Sequence, residues 1–459
     1  MSVTASAHPR RSTELDDGTE VWNWAGNAVL GRSSAVVSPG TEEELRAAVT
    51  STTGRVRLVG SRMSAGRMLQ LSAEGDRLVD TSRLRGLLAS GPDSATFAGG
   101  TALQEVYDVL AATGRALPSS PGVIASQTLA GALATGTHGQ GLRQSSVADA
   151  VLSVRTVLAD GSVAEFDRGH PAFPAVQLGL GVLGAVSAVT LRTVANTVYT
   201  CRKDVAGAGD LGALLTRWNR DNALSKAWWF PGEDVVHVWN AQEADTAAAL
   251  AHRAGGGRLV EHPGTSDAVN RAVDAALSTM RGDTRISDAQ GKPYRTVNRF
   301  KDFSDVTGDV YQVFCRGIAT PQINVEVAVP LDRVDHVVAV LREWHARTNP
   351  HMHYPIILRC TGPSTAWLSP AHGRETCYFG FVVYYAEDGT LSAGGMDFLR
   401  SVEEVLAAEG ARPHWGKYFD EALYDWPALY PRWDDFRGVR EELDPQHRFA
   451  NAFTDRLLG

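Results

Sequence analysis

Apolar positions between residues 39 and 192 follow two periods, and the switches between them lay out the elements. Pro39-Gly40-Thr41-Glu42-Glu43-Glu44-Leu45 opens a helix, with Thr41 as N-cap and Glu44 three positions on as its capping-box partner; the helix should stop near Gly54. Val56-Arg57-Leu58-Val59 then reads as a strand. It runs into Gly60-Ser61-Arg62-Met63-Ser64, a loop of small residues able to turn backbone N–H groups toward a phosphate. Leu103, Val106, Tyr107 and Leu110 recur at helical spacing behind a second capping box, Thr101 to Gln104. A strand over Val151 to Leu158 turns at Asp160-Gly161 into Val163-Ala164-Glu165-Phe166, a strong hairpin signal. The glycine-rich run Gly179 to Val186 leads into a strand at Val189-Thr190-Leu191-Arg192. Farther on, Asn324 to Val329 alternates as a strand, and Val334, Val337, Val338 and Leu341 form a helical stripe after Pro330.

One stretch falls outside this patterning. From Ser126 to Gly141 the chain reads Ser-Gln-Thr-Leu-Ala-Gly-Ala-Leu-Ala-Thr-Gly-Thr-His-Gly-Gln-Gly, small enough for a ligand to lie directly against main chain. A dinucleotide is the ligand that uses so much bare backbone, with N–H groups converging on its pyrophosphate and Thr135 and Thr137 adding hydroxyl donors. By itself the run is equally a tightly packed turn. Its setting decides for the ligand, because two phosphate-type loops flank one small α+β unit.

Composition narrows the partners. A chain of 459 residues suits two or three domains and a large core. Its net charge of −8 argues against a nucleic-acid groove or an anionic membrane surface. Cys201, Cys315, Cys360 and Cys377 show no Cys-x-x-Cys spacing, which suits reduced thiols in a cytoplasmic protein. Met1 to Ser12 carries no apolar stretch, so neither a signal peptide nor a spanning segment is expected. His351 and His353 flank Met352 in a metal-like spacing, but no carboxylate or cysteine clusters beside them and no metal is expected.

Six motifs in order carry a resemblance: Trp22-Asn23-Trp24-Ala25-Gly26-Asn27, Val59-Gly60-Ser61, Ser126-Gln127-Thr128-Leu129-Ala130-Gly131, Thr135-Gly136-Thr137-His138-Gly139, Gly181-Val182-Leu183-Gly184 and His414-Trp415-Gly416-Lys417. With the closing Leu443 to Asn451, they resemble the sugar-1,4-lactone oxidase family, which includes aldonolactone oxidases, galactonolactone dehydrogenase and alditol oxidase, within the vanillyl-alcohol-oxidase-like flavoproteins. The resemblance implies an α+β fold: a two-subdomain FAD-binding domain over 1–195, an α+β cap domain with an antiparallel sheet over 196–410, and a segment 411–459 returning to the FAD domain. The pyrophosphate would lie on residues 60–64 and on the Thr135 to Gly139 loop, with the adenine end near Gly181 to Val186. Cofactor-binding positions implied by the match are Gly60, Ser61, Arg62, Met63, Ser64, Pro121, Gly122, Ser126, Gln127, Thr128, Gly131, Thr135, Thr137, His138, Gly139, Gly181, Gly184, Val186, His414 and Lys417.

The departures from the family are specific. Members often carry a histidine in a Gly-His-Ser context of the first loop that bonds covalently to the flavin; here Met63 stands in that place, and a thioether cannot make the link, so FAD is expected to be held noncovalently. A family Glu-x-Arg pair on a cap strand falls on Ile357-Leu358-Arg359, keeping the arginine and losing the carboxylate. A family histidine on the next strand falls at Gly380. Both losses remove hydrogen-bonding groups and open space, so a larger or less hydroxylated alcohol or amine is expected rather than a simple polyol or lactone. Ile357, Arg359 and Gly380 are therefore the substrate positions, and Glu326 reads as a structural residue of the cap sheet.

By the same resemblance, Lys417 stabilises the reduced flavin as hydride arrives, Arg359 anchors substrate or structure, and Ser126 places a hydroxyl near the ring. The implied function is FAD-dependent oxidation of a C–H bearing oxygen or nitrogen in a small-molecule substrate. Dioxygen or another acceptor then takes the electrons, and the enzyme is expected to tailor a specialised metabolite. The alternatives are an aldonolactone or alditol oxidase or dehydrogenase, and a non-catalytic flavin-binding protein.

Overall fold

The computed structural model describes residues 19–265, 267–282, 304–315, 321–350, 352–385, 389, 391 and 393–459; the Met1 to Ser12 segment and His351 lie outside the described residues. Two sheets of the N-terminal half, one of three strands and one of five, position the site. Val36–Val37, Arg77–Asp80 and Val56–Val59 pair in parallel with Arg77–Asp80 in the middle, and the helix Glu42–Ser51 makes the crossover that parallel pairing requires. Thr41 caps this helix by accepting the Glu44 N–H at 3.1 Å, while the Glu44 carboxylate accepts from the N–H of Gly40 at 2.7 Å.

The second sheet has five antiparallel strands in the order Val163–Asp167, Val151–Val157, Ala185–Arg192, Ser94–Ala98, Leu87–Ser90, so the Asp-Gly hairpin forms as its sequence signals. Its strand toward Arg192 starts earlier than the alternation suggests, because Ala185 and Val186 already pair with Val157 and Thr156. Helix Leu103–Ala112 buries Leu103, Val106, Tyr107 and Leu110 as expected, but the capping box read at Thr101 does not form. The N-cap is Ala102, and the buried Thr101 hydroxyl donates to the Ala98 carbonyl at 2.7 Å and accepts from the Gly86 N–H at 2.9 Å. A strand-end carbonyl competed successfully for the hydroxyl.

Nine antiparallel strands make the largest sheet among the described residues, in the order Val260–His262, Asp305–Asp309, Val198–Gly207, Val235–Glu243, Leu224–Phe230, Ile356–Thr361, Thr376–Tyr384, Gln322–Pro330, Arg412–Pro413. One face is apolar: Trp229, Val325, Leu358 and Phe379 pack with Val337, Leu341 and Leu399 of the helices Val334–Thr348 and Ala393–Ala408. The helical stripe read after Pro330 is the inner face of the first of these helices. Side-chain alternation sends the intervening residues to the other face. Two registered rows result there, Glu326, Gly380, Ile357, Trp228, His237 and Ala328, Tyr378, Arg359, Lys226, Trp239, Lys203.

The C-terminal segment closes the molecule on its N-terminal sheets. Asn451 Nδ2 donates to the carbonyls of Arg67, Met68 and Gln70 at 2.8–3.1 Å, and the Val56 N–H reaches the Arg448 carbonyl at 2.7 Å. Among the described residues no helix is long and apolar enough to cross a membrane.

Candidate active site

A cleft of about 1070 Å³, its open mouth included, runs between the two N-terminal sheets. Residues 57–64 line one side; Gln127, Thr128, Gly131, Thr135, Gly181, Gly184 and Val186 line the other. Gly60 lets the walls meet, since a Cβ there would stand 2.2 Å from Thr128 Oγ1. Arg62 (φ 57°), Leu180 (φ 52°) and Gly181 (φ 67°) are left-handed, the backbone arrangement that turns N–H groups into a concavity suited to phosphate.

The small-residue run behaves differently from a bare loop. Leu129–Thr135 is a short helix, so its N–H groups are largely committed, and both threonine hydroxyls are occupied: Thr135 Oγ1 donates to Gly131 O at 3.0 Å and Thr137 Oγ1 to Gln127 Oε1 at 2.6 Å. The expectation of two free hydroxyl donors is corrected accordingly. Thr137, His138 and Gly139 lie outside the cleft lining, as do Pro121, Gly122, Ser126, His414 and Lys417. Ser126 stands at the end of the cleft, where Ser61 Oγ donates to its carbonyl and its own Oγ lies 4.0 Å from Met63 Sδ.

Sequence reasoning passed over Arg57. Its buried guanidinium lines the cleft and donates to the carbonyls of Phe449 and, at 3.1 Å, Gly181; burial and then the nearby Arg440 bring its pKa down to about 10. The available signal was a charge in the centre of an otherwise apolar strand.

A second group of residues gathers on the polar face of the nine-stranded sheet, and Glu326 is its centre. Arg359 Nη2 donates to Glu326 Oε1, His138 Nε2 lies 3.4 Å from the same oxygen, and Lys417 Nζ is 4.0 Å from Oε2. Sequence alone reads Glu326 as a structural residue of the sheet, and position 357 carries no carboxylate. A carboxylate does stand against Arg359, delivered from the strand two places away in the sheet. Pattern could not reveal this, because the contact depends on register across three strands.

Gly380 lies between Glu326 and Ile357 in the register and has no side chain to obstruct the lane. The His138 ring stacks on Tyr378 at 3.6 Å, 19° from parallel, which turns it toward the cap sheet and away from the phosphate-type loop where it was expected. Burial alone would raise the Glu326 carboxyl, yet Arg359, His138 and Lys417 together hold it well below the usual carboxylate range. Burial lowers His138, His414 and the Lys417 amine, the last partly restored by Glu326. His414 Nδ1 accepts the Gly416 N–H at 3.0 Å, which assigns the ring proton of the neutral form to Nε2.

His138, Glu326 and His414 place donor atoms within 4.8 Å of one another, a spacing a metal could use. The carboxylate, however, already faces two cations, and a divalent ion would add like charge beside Arg359 and Lys417. His353 is occupied elsewhere, its buried Nδ1 accepting the Tyr384 N–H at 3.1 Å.

Lys417 owes its position to a segment clipped on both sides. The N–H groups of His414 and Tyr418 donate to Glu326 O and Asn324 O at 2.9 Å, while the Ala65 N–H donates to Gly416 O at 3.1 Å. Trp415 anchors the segment, fully buried, with its indole donating to Leu368 O at 2.6 Å and its ring stacked on Trp426 at 5.2 Å. One short stretch thus ties the cleft loop to the cap sheet.

Comparison with known sequences agrees with this arrangement. The sequence profile of the D-arabinono-1,4-lactone oxidase family matches residues 189–457, more than half of the chain, and that of the FAD binding domain matches residues 33–167. The chain belongs to the D-arabinono-1,4-lactone oxidase family. It is therefore an FAD-dependent oxidoreductase, and the cleft glycines and left-handed turns fit that dinucleotide. Relatives of this family member include L-gulono-1,4-lactone dehydrogenase of Mycobacterium tuberculosis, 28% identical over 455 residues and covering 96% of this chain and 99% of the relative. Alditol oxidase of a Streptomyces species is likewise 28% identical with the same coverage, and a long-chain alcohol oxidase of an uncultured marine euryarchaeote is 26% identical, covering 97% and 98%. Among solved structures, cholesterol oxidase of Brevibacterium sterolicum superposes over 100% of both chains with a TM-score of 0.75 at 16% identity, a likeness of fold.

Proposed function

We propose that this enzyme oxidises a substrate C–H bearing oxygen or nitrogen, with the substrate held between the end of the cofactor cleft and the polar face of the nine-stranded sheet. The observation that carries the reading is the cluster of Arg359 and Lys417 on one buried carboxylate, Glu326. FAD, when bound, supplies a hydride acceptor and delivers electrons to dioxygen or another acceptor. Arg359 and Lys417 donate to substrate oxygen and balance negative charge as it develops. Glu326 stays ionised at neutral pH, so it accepts hydrogen bonds from substrate hydroxyls and does not act as a proton donor. Ser126, beside Met63 at the cleft end, is a further hydroxyl donor. With Met63 at the first-loop position, the FAD is held noncovalently.

The residues flanking that cluster favour a substrate outside the sugar-lactone range. Ile357 and Gly380 place no polar side chain on one side of it, which suits a less hydroxylated compound of specialised metabolism. A second reading, oxidation of an aldonolactone or alditol, draws on the return of a carboxylate to Arg359 through Glu326 and on the names of the relatives. Anaerobic mixing of the holoenzyme with a panel of alditols and aldonolactones separates the two. Rapid loss of the oxidised-flavin colour supports the second reading; persistent colour that dithionite bleaches supports the first.

A further inference from the structure

We propose that Lys226 holds an anionic group of the substrate, so that the compound oxidised here carries a carboxylate or phosphate besides its reacting C–H. This rests on the reading of the polar sheet face as the substrate wall. Lys226 lies on that face, directly opposite Arg359 on one side and Trp239 on the other in the sheet register.

Among the described residues Arg359 and Lys417 share one carboxylate, that of Glu326. Lys226 has no carboxylate within 4.0 Å among the described residues; its ammonium rests 4.4 Å from the centre of the Trp239 ring. Burial, then the charge of Arg359, brings its amine down to about 8, so the protein itself supplies little to keep the charge. A half-buried ammonium without a counter-ion, beside a second cation, is costly unless an anion joins it. An indole face attracts the ammonium but is a weaker partner than a carboxylate.

The neighbouring row gives the site its shape. Ile357 and Trp228 stand beside Arg359 and Lys226 and offer no polar group toward an anion, apart from an indole N–H. A bound molecule can therefore place its hydroxyl on the pair Arg359 and Glu326, its carbon body over Ile357, and its charge on Lys226.

Calorimetric titration of the oxidised holoenzyme with benzoate and with its neutral isostere benzamide tests this without turnover. Benzoate is expected to bind at least tenfold tighter than benzamide. That preference should collapse in Lys226→Met and return in Lys226→Arg, which restores charge without restoring the lysine. Equal affinities in the unmodified protein, including no heat from either probe, overturn the proposal, and so does a preference that survives in Lys226→Met. Because neither probe needs to be oxidised, failure here is distinct from failure to find a substrate that bleaches the flavin.

Discussion

Glu326 reaches Arg359 over Gly380, a residue with no side chain on the strand that separates them. Two strand spacings, roughly 9–10 Å, part their backbones. The pair runs diagonally between the two registered rows, past Gly380 on one side and Tyr378 on the other.

Filling that lane should break the pair. A Cβ at position 380 itself meets only ordinary contact, 3.4 Å from Ile357, so Gly380→His is expected to fold, while its ring competes with Glu326 for Arg359. We expect flavin reduction by the native substrate to slow at least tenfold and stability to fall by about 1–3 kcal/mol, the usual scale for overpacking. Anaerobic stopped-flow and thermal unfolding read the two effects. An unchanged rate would mean that the pair is irrelevant to turnover.

Neutralising the carboxylate removes the counter-charge of two cations at once. Glu326→Gln is expected to cost about 3 kcal/mol of stability at pH 7, because a buried guanidinium and ammonium lose their partner. The sign with pH follows from the depressed carboxyl: above its ordinary value of 4.5 the ionised group stabilises the fold, and that contribution is lost as pH falls below it. The deficit of the variant should therefore be large at pH 7 and shrink on acidification. Denaturant melts at several pH values check it.

A different carboxyl works in the opposite sense. Glu403 accepts from the Asp420 N–H at 2.8 Å and the Tyr424 hydroxyl at 2.9 Å, and burial lifts it from 4.5 to about 7. Between those values the folded protein keeps a proton that the unfolded chain has released, so stability falls as pH rises through the window. Glu403→Gln should be more stable than the unmodified protein by about 1–2 kcal/mol at pH 8 and no better near pH 4. Equal melting curves at pH 8 would contradict this.

The mode of flavin attachment has a direct readout. Acid precipitation is expected to leave the yellow colour in the supernatant, since Met63 offers no nucleophile for a covalent link. Colour retained in the washed pellet would show that another residue makes one.

How much of this was legible in the chain depends on the range of each contact. The Asp160-Gly161 hairpin, the Thr41 cap and the stripe from Val334 to Leu341 are set by residues within a few positions of one another, and they form as read. Thr101 misled because its nearest competing carbonyl, on Ala98, belongs to the strand behind it. The small-residue run from Ser126 signalled a cleft wall, but the same small residues favour a helical turn, which its hydroxyls then serve. The pairing of Glu326 with Arg359 was invisible because alternation assigns each residue to a strand without saying which strands lie alongside.

Arg57 and the Phe449 carbonyl it holds are 392 positions apart, and Lys417 also arrives late in the chain. A growing polypeptide can lay down both N-terminal sheets long before Lys417 or Phe449 emerges from the ribosome. The guanidinium that lines the cleft thus donates its hydrogen bond to a carbonyl the ribosome adds late, and the order of that lining waits on distant sequence.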